Sequence, residues 1–398
     1  MSAAQEIAGA GTAVTDLRCE YAVNPLGIGV RRPRLSWRLL SSRRGAAQVA
    51  CQIRVASSVD ALGDEAALLW DSGRLDTSES LHHCYGGPEP ASGARCFWQV
   101  RVWDERGVVS AWSAPGWWEL GLLEPADWTA QWIAPGWVED PAVPQPSPLL
   151  RREFSLAKPV ARARLYVTAH GLYRCEINGR RVGDVLLTPG WTSYHHRLLV
   201  QSYDVTALLR EGDNALGAML GEGWYRGRIG AVGGLRCAYG ERLALLAQLV
   251  IEHADGTRTT VGSDAAWQAA TGPILASGIY DGEIYDARLE RDGWSLPGAG
   301  AEWEPVQVAA RPLDNLRAWS GPYVRRMEEV APVAVAQRAD ARFIYDFGQN
   351  IAGWTRLAVR GAAGTVVTLR HAEVLDAQGN LYTANLRSAQ QTDRYTLR

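Results

Sequence analysis

LALLAQLVI (243–251) places Leu243, Leu245, Ala247, Leu249 and Ile251 at every second position. A period of two is the repeat of an extended strand, whose successive side chains leave opposite faces of the backbone. The alternation recurs at Val49, Cys51, Ile53 and Val55, and again at Trp98, Val100 and Val102. Asn178-Gly179 and Asp255-Gly256 punctuate such runs with pairs that favour the primed two-residue hairpin turns. Long stretches of helical period are absent. The main exception is a short turn opened by Asp204, a good start residue, with Val205, Leu208 and Leu209 behind it. The chain is predicted to be all-β.

Working outward, the strands group into blocks. Residues 1–13 read as a disordered tail. Residues 14–122 carry short strands at regular spacing, among them RPRLSWRL (32–39), and predict a fibronectin III-like or immunoglobulin-like sandwich of about seven strands. Trp37, Trp98 and Trp103 fall in its strand patterns and are expected in the core or between the sheets. Residues 123–149 form a Pro-rich linker: between Pro135 and Pro148 the prolines argue against a central strand and predict an exposed, semi-stiff connection. Residues 150–325 have longer alternating strands and predict a jelly-roll sandwich of the galactose-binding kind. The block 326–398 reads as a third sandwich, with about four strands starting near Ala341. It ends on TDRYTLR (392–398), itself a strand pattern, so this sandwich is read as incomplete: an uncovered edge is normally blunted or paired.

A chain of 398 residues, 47% hydrophobic and 21% charged, is ordinary for a multidomain globular protein. Its formal charge of −2 leaves no electrostatic footprint for nucleic acid or an anionic membrane. Lys158 is the only lysine, which leaves little for Schiff-base or phosphate-loop chemistry. Cys19, Cys51, Cys84, Cys96, Cys175 and Cys237 lack metal-knuckle or redox-pair spacing. Cys51 and Cys175 lie on apolar-alternating positions and are expected as buried free thiols. MSAAQEIAGAGTAV (1–14) shows no basic segment followed by an apolar run, and no apolar stretch approaches the length of a membrane span. The expectation is a soluble, cytoplasmic protein.

Three polar constellations stand out. In GEGWYRG (221–227), glycines flank Glu222, Trp224, Tyr225 and Arg226, and a turned or flexible loop is expected to present them to a ligand or to another domain. Seventeen Trp against four Phe gives such a reading weight, because an indole face stacks on the apolar face of a pyranose. In SGIYDGEIYDARLE (277–290), an extended backbone places Asp281, Glu283 and Tyr285 on one face, with alternate positions about 6.6 Å apart. That matches the acid–base spacing of an inverting glycosidase. Both carboxylates would point the same way, however, where the chemistry needs them on opposite sides of the bond. A supporting role fits better for these carboxylates, in a constellation that Asp286 and Arg288 complete: bonding substrate hydroxyls, or pairing with Arg288 at an interface. In YDFGQNIAGW (345–354), Asn350 and Trp354 lie beside glycine turns, where amides commonly lock the backbone. His82-His83 and His195-His196 are adjacent pairs whose side chains diverge on a strand, so neither chelates one metal. There is no Ser/His/Asp motif, Walker loop or dinucleotide fingerprint.

SGIYDGEIYDARLE and YDFGQNIAGW resemble signature segments in the accessory β-domains of bacterial α-L-rhamnosidases, which are inverting glycoside hydrolases. The resemblance continues through GEGWYRG and RHAEVLDAQGNLYTANLRSAQQTDRYTL (370–397), and less sharply through WDSGRL (70–75) and FWQVRVWDERGVVSAWS (97–113). It implies a fibronectin-like domain, a jelly roll and the start of a concanavalin-like sandwich. It also implies that the catalytic carboxylates sit on an α/α barrel following these domains, so no catalytic residue is expected in this chain. The expected partners are a rhamnose-containing glycoside and that barrel. A calcium-dependent rhamnose-binding module found in some members has no counterpart in the Pro-rich linker, so no metal or cofactor is expected. Two other readings stay open: a stand-alone carbohydrate-binding β-protein and a structural protein-interaction module.

Overall fold

The computed structural model of the protein describes residues 11–230, 234–300, 302–338 and 342–398. The chain divides into two units: one runs to Trp128 and includes Val200–Tyr203 and Leu316–Gly321, and the other comprises Thr129–Leu199, Asp204–Asn315 and Pro322–Arg398. Among the described residues the only α-helix is one turn, Gly223–Arg226, and short 3₁₀ turns supply the rest of the helical structure. The fold is all-β, as the alternation predicts. No helix among the described residues is long and apolar enough to cross a membrane.

In the first unit, Thr12–Cys19, Arg34–Ser41 and His83–Cys84 form a three-stranded sheet. Leu26–Ile28, Gly116–Leu120, Arg95–Asp104, Gln48–Ala56 and Leu68–Asp71 follow one another in a five-stranded sheet. Leu35 and Trp37 from the first sheet pack with Ile53, Val55, Trp98, Val100, Val102 and Trp118 from the second in one buried cluster, which makes the unit a sandwich. Two expectations are corrected here. Trp103 is not core: the strict alternation that buries Trp98, Val100 and Val102 turns the odd positions outward. There Trp103 carries the guanidinium groups of Arg74 and Arg101 over its ring at 4.9 and 5.3 Å. Val49 is 41% exposed, because the pairing with Arg95–Asp104 shifts register between Gln48 and Ala50 and expels one residue from the inward series.

In the second unit a continuous ladder runs in the order Arg180–Arg181, Leu172–Ile177, Gly212–Gly221, Pro148–Leu156, Gln268–Thr271, Glu304–Val308, Ile133–Pro135, Ala244–His253 and Val160–His170. Ala244–His253 is buried on both faces, so Leu246 and Ala244 are as hidden as Leu245 and Leu249. Gln248 interrupts its apolar run without cost, since its Oε1 accepts from the Thr129 and Ala130 amides at 2.7 and 3.0 Å. The two hairpin dipeptides behave differently. Asn178 and Gly179 both take positive φ, as a primed turn requires, whereas at Asp255-Gly256 only the glycine does. The Asp255 carboxylate instead accepts from the Thr257 amide at 3.0 Å and from Lys158 at 2.6 Å, holding a longer loop. Pro135 and Pro148 are strand-end residues, not parts of an exposed connection, and terminal positions are where a strand tolerates proline. All six cysteines are free thiols, with Cys19, Cys51, Cys96 and Cys175 buried.

The last block belongs to the second unit. Thr392–Thr396 runs parallel to Gly282–Asp286 and antiparallel to Val366–Arg370, and Ile274–Gly278 completes a four-stranded sheet. Ala334–Gln337 pairs with Phe343–Asp346, and Val374–Leu375 with Leu381–Tyr382. These six strands of the block exceed the four expected, and they begin before Ala341, a position outside the described residues. Burial is sparse here: from Val359 to Gly364 every residue is exposed.

Candidate functional site

The Gly-rich stretch 221–227 is not an open loop. Strand Gly212–Gly221 runs directly into the helical turn Gly223–Arg226. Gly223 makes the junction possible: its φ is +51°, and a Cβ there would meet Leu172 Cγ at 2.5 Å. Helical spacing then places Glu222 and Arg226 on one side, and both are buried, as is Tyr225. Glu222 Oε1 accepts from Arg226 Nε at 3.1 Å and from Arg236 Nη2 at 2.7 Å. Arg226 also pairs with Glu139, and Arg236 donates to the carbonyls of Pro141 and Val143, both at 3.2 Å. The Pro-rich segment is thus fastened to the sandwich by two arginines. Glu222 Oε2, Glu139 Oε1 and Arg226 Nη2 remain buried without a hydrogen-bond partner among the described residues.

Tyr225 faces an aromatic cluster. Its hydroxyl accepts from Arg311 Nη1 at 2.9 Å, and its ring lies 4.8 Å from His170 and 5.3 Å from Tyr194. His170 also stacks on Trp132 at 4.5 Å. Burial first, and then the Arg311 charge, hold the His170 imidazole down at about 3, so it is neutral. Arg311 Nη1 approaches its Nδ1 at 2.7 Å; because arginine only donates, the imidazole proton sits on Nε2. Of the four residues singled out in this stretch, only Trp224 reaches the surface. Its ring lies parallel to that of Trp191, 5.9 Å between centroids, and Trp191 is 56% exposed with its Nε1 donating to Tyr239 at 3.0 Å.

The second constellation is a hairpin, with Asp281 in the turn. Gly282, at φ +81°, breaks the extended backbone between Asp281 and Glu283, so the expected common face does not extend to Asp281. Asp281 pairs with Arg228, which also donates to the Ser388 carbonyl at 2.6 Å. The Glu283 carboxyl is raised, chiefly by burial and then by Asp393, while its amide donates to Asp393 Oδ1 at 2.8 Å. Tyr285 donates to Glu290 at 2.7 Å, and burial first, then that bond, raises its hydroxyl. Asp286 accepts from the Arg288 guanidinium at 2.6 and 2.9 Å and from its amide at 3.0 Å; the guanidinium holds the carboxylate below its usual range. The Asp286–Arg288 pair is therefore a local cap on the turn Ala287–Leu289. Asn350 and Trp354 stand exposed and make no hydrogen bond or ring contact with either group.

The two buried constellations meet at a cleft of about 240 Å³, lined by Glu222 and Asp281 together with Ser277, Ile284, Gln390 and Arg394. Of these, Gln390 and Arg394 escape sequence reasoning, because they arrive through parallel pairing of strands remote in sequence. Trp191, Arg228 and Arg236 escape it for another reason: they lie in loops, which carry no periodic signal. Among the described residues no group of three or more His, Cys, Asp or Glu side chains is placed to hold a metal.

A small polar cleft and, separately, stacked surface indoles on an all-β chain are features suited to carbohydrate contact. Comparison with known proteins narrows this. Residues 14–124 match the Rha78A-like N-terminal immunoglobulin domain, 158–328 the α-L-rhamnosidase N-terminal domain, and 336–398 the bacterial α-L-rhamnosidase concanavalin-like domain. An α-L-rhamnosidase of Streptomyces avermitilis is 33% identical over 97% of this chain and 53% of its own length, and one from an Alteromonas species is 38% identical over 94% and 42%. The crystal structure of the Streptomyces avermitilis enzyme complexed with L-rhamnose superposes with a TM-score of 0.93 at 32% identity, over 97% of this chain and 54% of that one. The native enzyme from Aspergillus terreus gives 0.91 at 37% identity, over 97% and 44%. The chain belongs to the α-L-rhamnosidase family and corresponds to its N-terminal β-domains. It spans about half the length of the relatives it matches.

Proposed function

We propose that this chain is the non-catalytic N-terminal part of an α-L-rhamnosidase that hydrolyses terminal α-L-rhamnose from glycosides with inversion. The acid and base would come from an α/α barrel continuing the polypeptide, and these β-domains would support that barrel and help to recognise the glycoside. The observation that carries the reading is the block 326–398, whose family match is a concanavalin-like sandwich but whose apolar residues lie open. Met327 is 87%, Val333 71%, Trp354 64% and Phe343 53% exposed, an apolar surface that calls for a partner. The carboxylates nearest to a catalytic pair are already committed: Asp281 to Arg228, and Glu283 to the buried neighbourhood of Asp393 and Tyr395. Six free thiols support placing the protein in the reducing cytoplasm.

The test is hydrolysis of an aryl α-L-rhamnoside by this chain alone and by the chain extended with the C-terminal half of a relative. The chain alone should give no turnover and the extended protein should. Turnover by the chain alone that disappears in Glu283→Gln would overturn the proposal. In the extended enzyme, Trp224→Ala should raise KM roughly fivefold with little change in kcat, as expected for losing a stacking contact of about 1 kcal/mol made equally in ground and transition states. An unchanged KM with a lowered melting temperature would instead assign Trp224 to packing.

A further inference from the structure

The cleft beside Glu222 and Asp281 is built rather than incidental. Its walls come from the hairpin over residues 274–286, from the start of the helical turn and from residues 390–394. Hydrogen bonds hold these pieces: the Gln390 amide donates to the Tyr280 carbonyl at 2.6 Å, and Gln391 Nε2 to the Ile279 carbonyl at 3.2 Å. Parallel register sets Arg394 beside Ile284. A cavity assembled in advance loses little order when it is filled. At about 240 Å³ it lies below the roughly 300–1,000 Å³ of pockets for drug-sized ligands and suits a single sugar ring.

Its polar groups call for a ligand that both donates and accepts. Glu222 lies on the wall, 1% exposed, with Oε1 serving two arginines and Oε2 buried without a partner among the described residues. An orphaned buried carboxylate oxygen is rare in native proteins and needs a donor. Asp281 is a second acceptor, and Ser277 offers a hydroxyl. The side chains of Gln390 and Arg394 make no hydrogen bond or ion pair with described residues, which leaves their donors free. An inorganic anion would present only acceptors to Glu222 and Asp281, and a cation would meet Arg394. Adjacent hydroxyls satisfy both kinds of group at once. The rest of the lining is apolar: Ile284, Ala276 and Pro144.

We propose that this cleft binds a neutral 6-deoxyhexose, its hydroxyls engaging Glu222, Asp281, Gln390 and Arg394 and its methyl group lying toward Ile284 and Pro144. The choice of sugar rests on the rhamnosidase reading, so L-rhamnose is the probe. L-mannose, which differs by carrying a hydroxyl in place of the hydrogen on that methyl carbon, is the comparison. Titration of this chain, followed by calorimetry and by saturation-transfer NMR, should show saturable L-rhamnose binding and at least fivefold weaker L-mannose binding. Gln390→Ala and Arg394→Ala, both at exposed positions, should each weaken L-rhamnose at least fivefold without moving the melting temperature. Glu222→Gln should weaken it further; should that variant fail to fold, the two exposed variants decide. No saturable binding by the folded chain, equal binding of the two sugars, or L-rhamnose binding untouched by Arg394→Ala would each overturn the proposal. Turnover by the extended enzyme is read separately, so an empty cleft leaves the enzymatic reading standing, and an inactive extended enzyme leaves measured cleft binding standing.

Discussion

Arg226→Ala should destabilise the second unit by about 3–5 kcal/mol, the range for removing one partner from a buried ion pair. Arg226 is fully buried between two carboxylates, Glu222 and Glu139, that are themselves out of water. Alanine would leave Glu139 facing no cation and Glu222 with Arg236 alone. It would also remove the donor to the Glu241 carbonyl at 3.4 Å. Urea unfolding followed by tryptophan fluorescence measures the loss, and a change below 1 kcal/mol would show that the carboxylates relax to solvent. A triple variant, Arg226→Met with Glu222→Gln and Glu139→Gln, should recover most of the loss, since replacing all the charges together avoids stranding any of them. The segment 139–143 is held through these residues, so limited proteolysis should cut there faster in Arg226→Ala than in the parent.

The same cluster marks the limit of what sequence alone discloses. Strand alternation is a local signal, and the strands of both sandwiches follow it because each residue's face is set by its immediate neighbours. Where a neighbour breaks the count the reading slips. Val49 turns outward at a register shift, and Trp103 lies on the parity opposite to Trp98 in FWQVRVW. The polar site depends on partners that spacing cannot reveal. Arg226 finds Glu139 87 residues upstream, and Arg228 finds Asp281 53 residues downstream. Gly223 carried a double meaning: read as flexibility, it is instead the left-handed joint that lets one helical turn follow a strand. Residues 277–290 held Asp281, Glu283 and Asp286 in plain view. The Gly282 turn and the local Arg288 cap, which separate their roles, appear only once the backbone is in place.

Acidification should weaken the second unit through His170, and this contribution can be isolated. The imidazole is 6% exposed, stacked on Trp132 and facing Arg311 and His195, which together with burial hold it at about 3 against an ordinary 6.5. A native pKa lower than the unfolded one means that below pH 6.5 the unfolded chain takes up a proton that the native state refuses. The stabilisation is therefore complete above about 6.5 and is lost as pH falls toward 3. The slope reaches about 1.4 kcal/mol per pH unit in that window and sums to roughly 5 kcal/mol. Depressed carboxylates such as Asp255 and Glu252 also weaken the fold in acid, but they are common to the parent and to a His170→Gln variant. The difference between the two stability–pH curves, taken from urea unfolding between pH 7.5 and 4.5, should therefore change by about 3 kcal/mol, with the parent losing more. The glutamine oxygen can still accept from Arg311, so the variant removes the titration and keeps an acceptor where Nδ1 lies. Parallel curves, or an imidazole NMR signal of His170 that titrates near 6.5 in the folded protein, would mean that the ring reaches water and that the Trp132–His170–Tyr225 stack opens in the native state. If the curves diverge as expected, the stack is a fixed support beneath the helical turn. In that case the helical turn that carries Trp224 is held by a buried neutral histidine and the Arg311 bridge to Tyr225 as well as by the Gly223 joint.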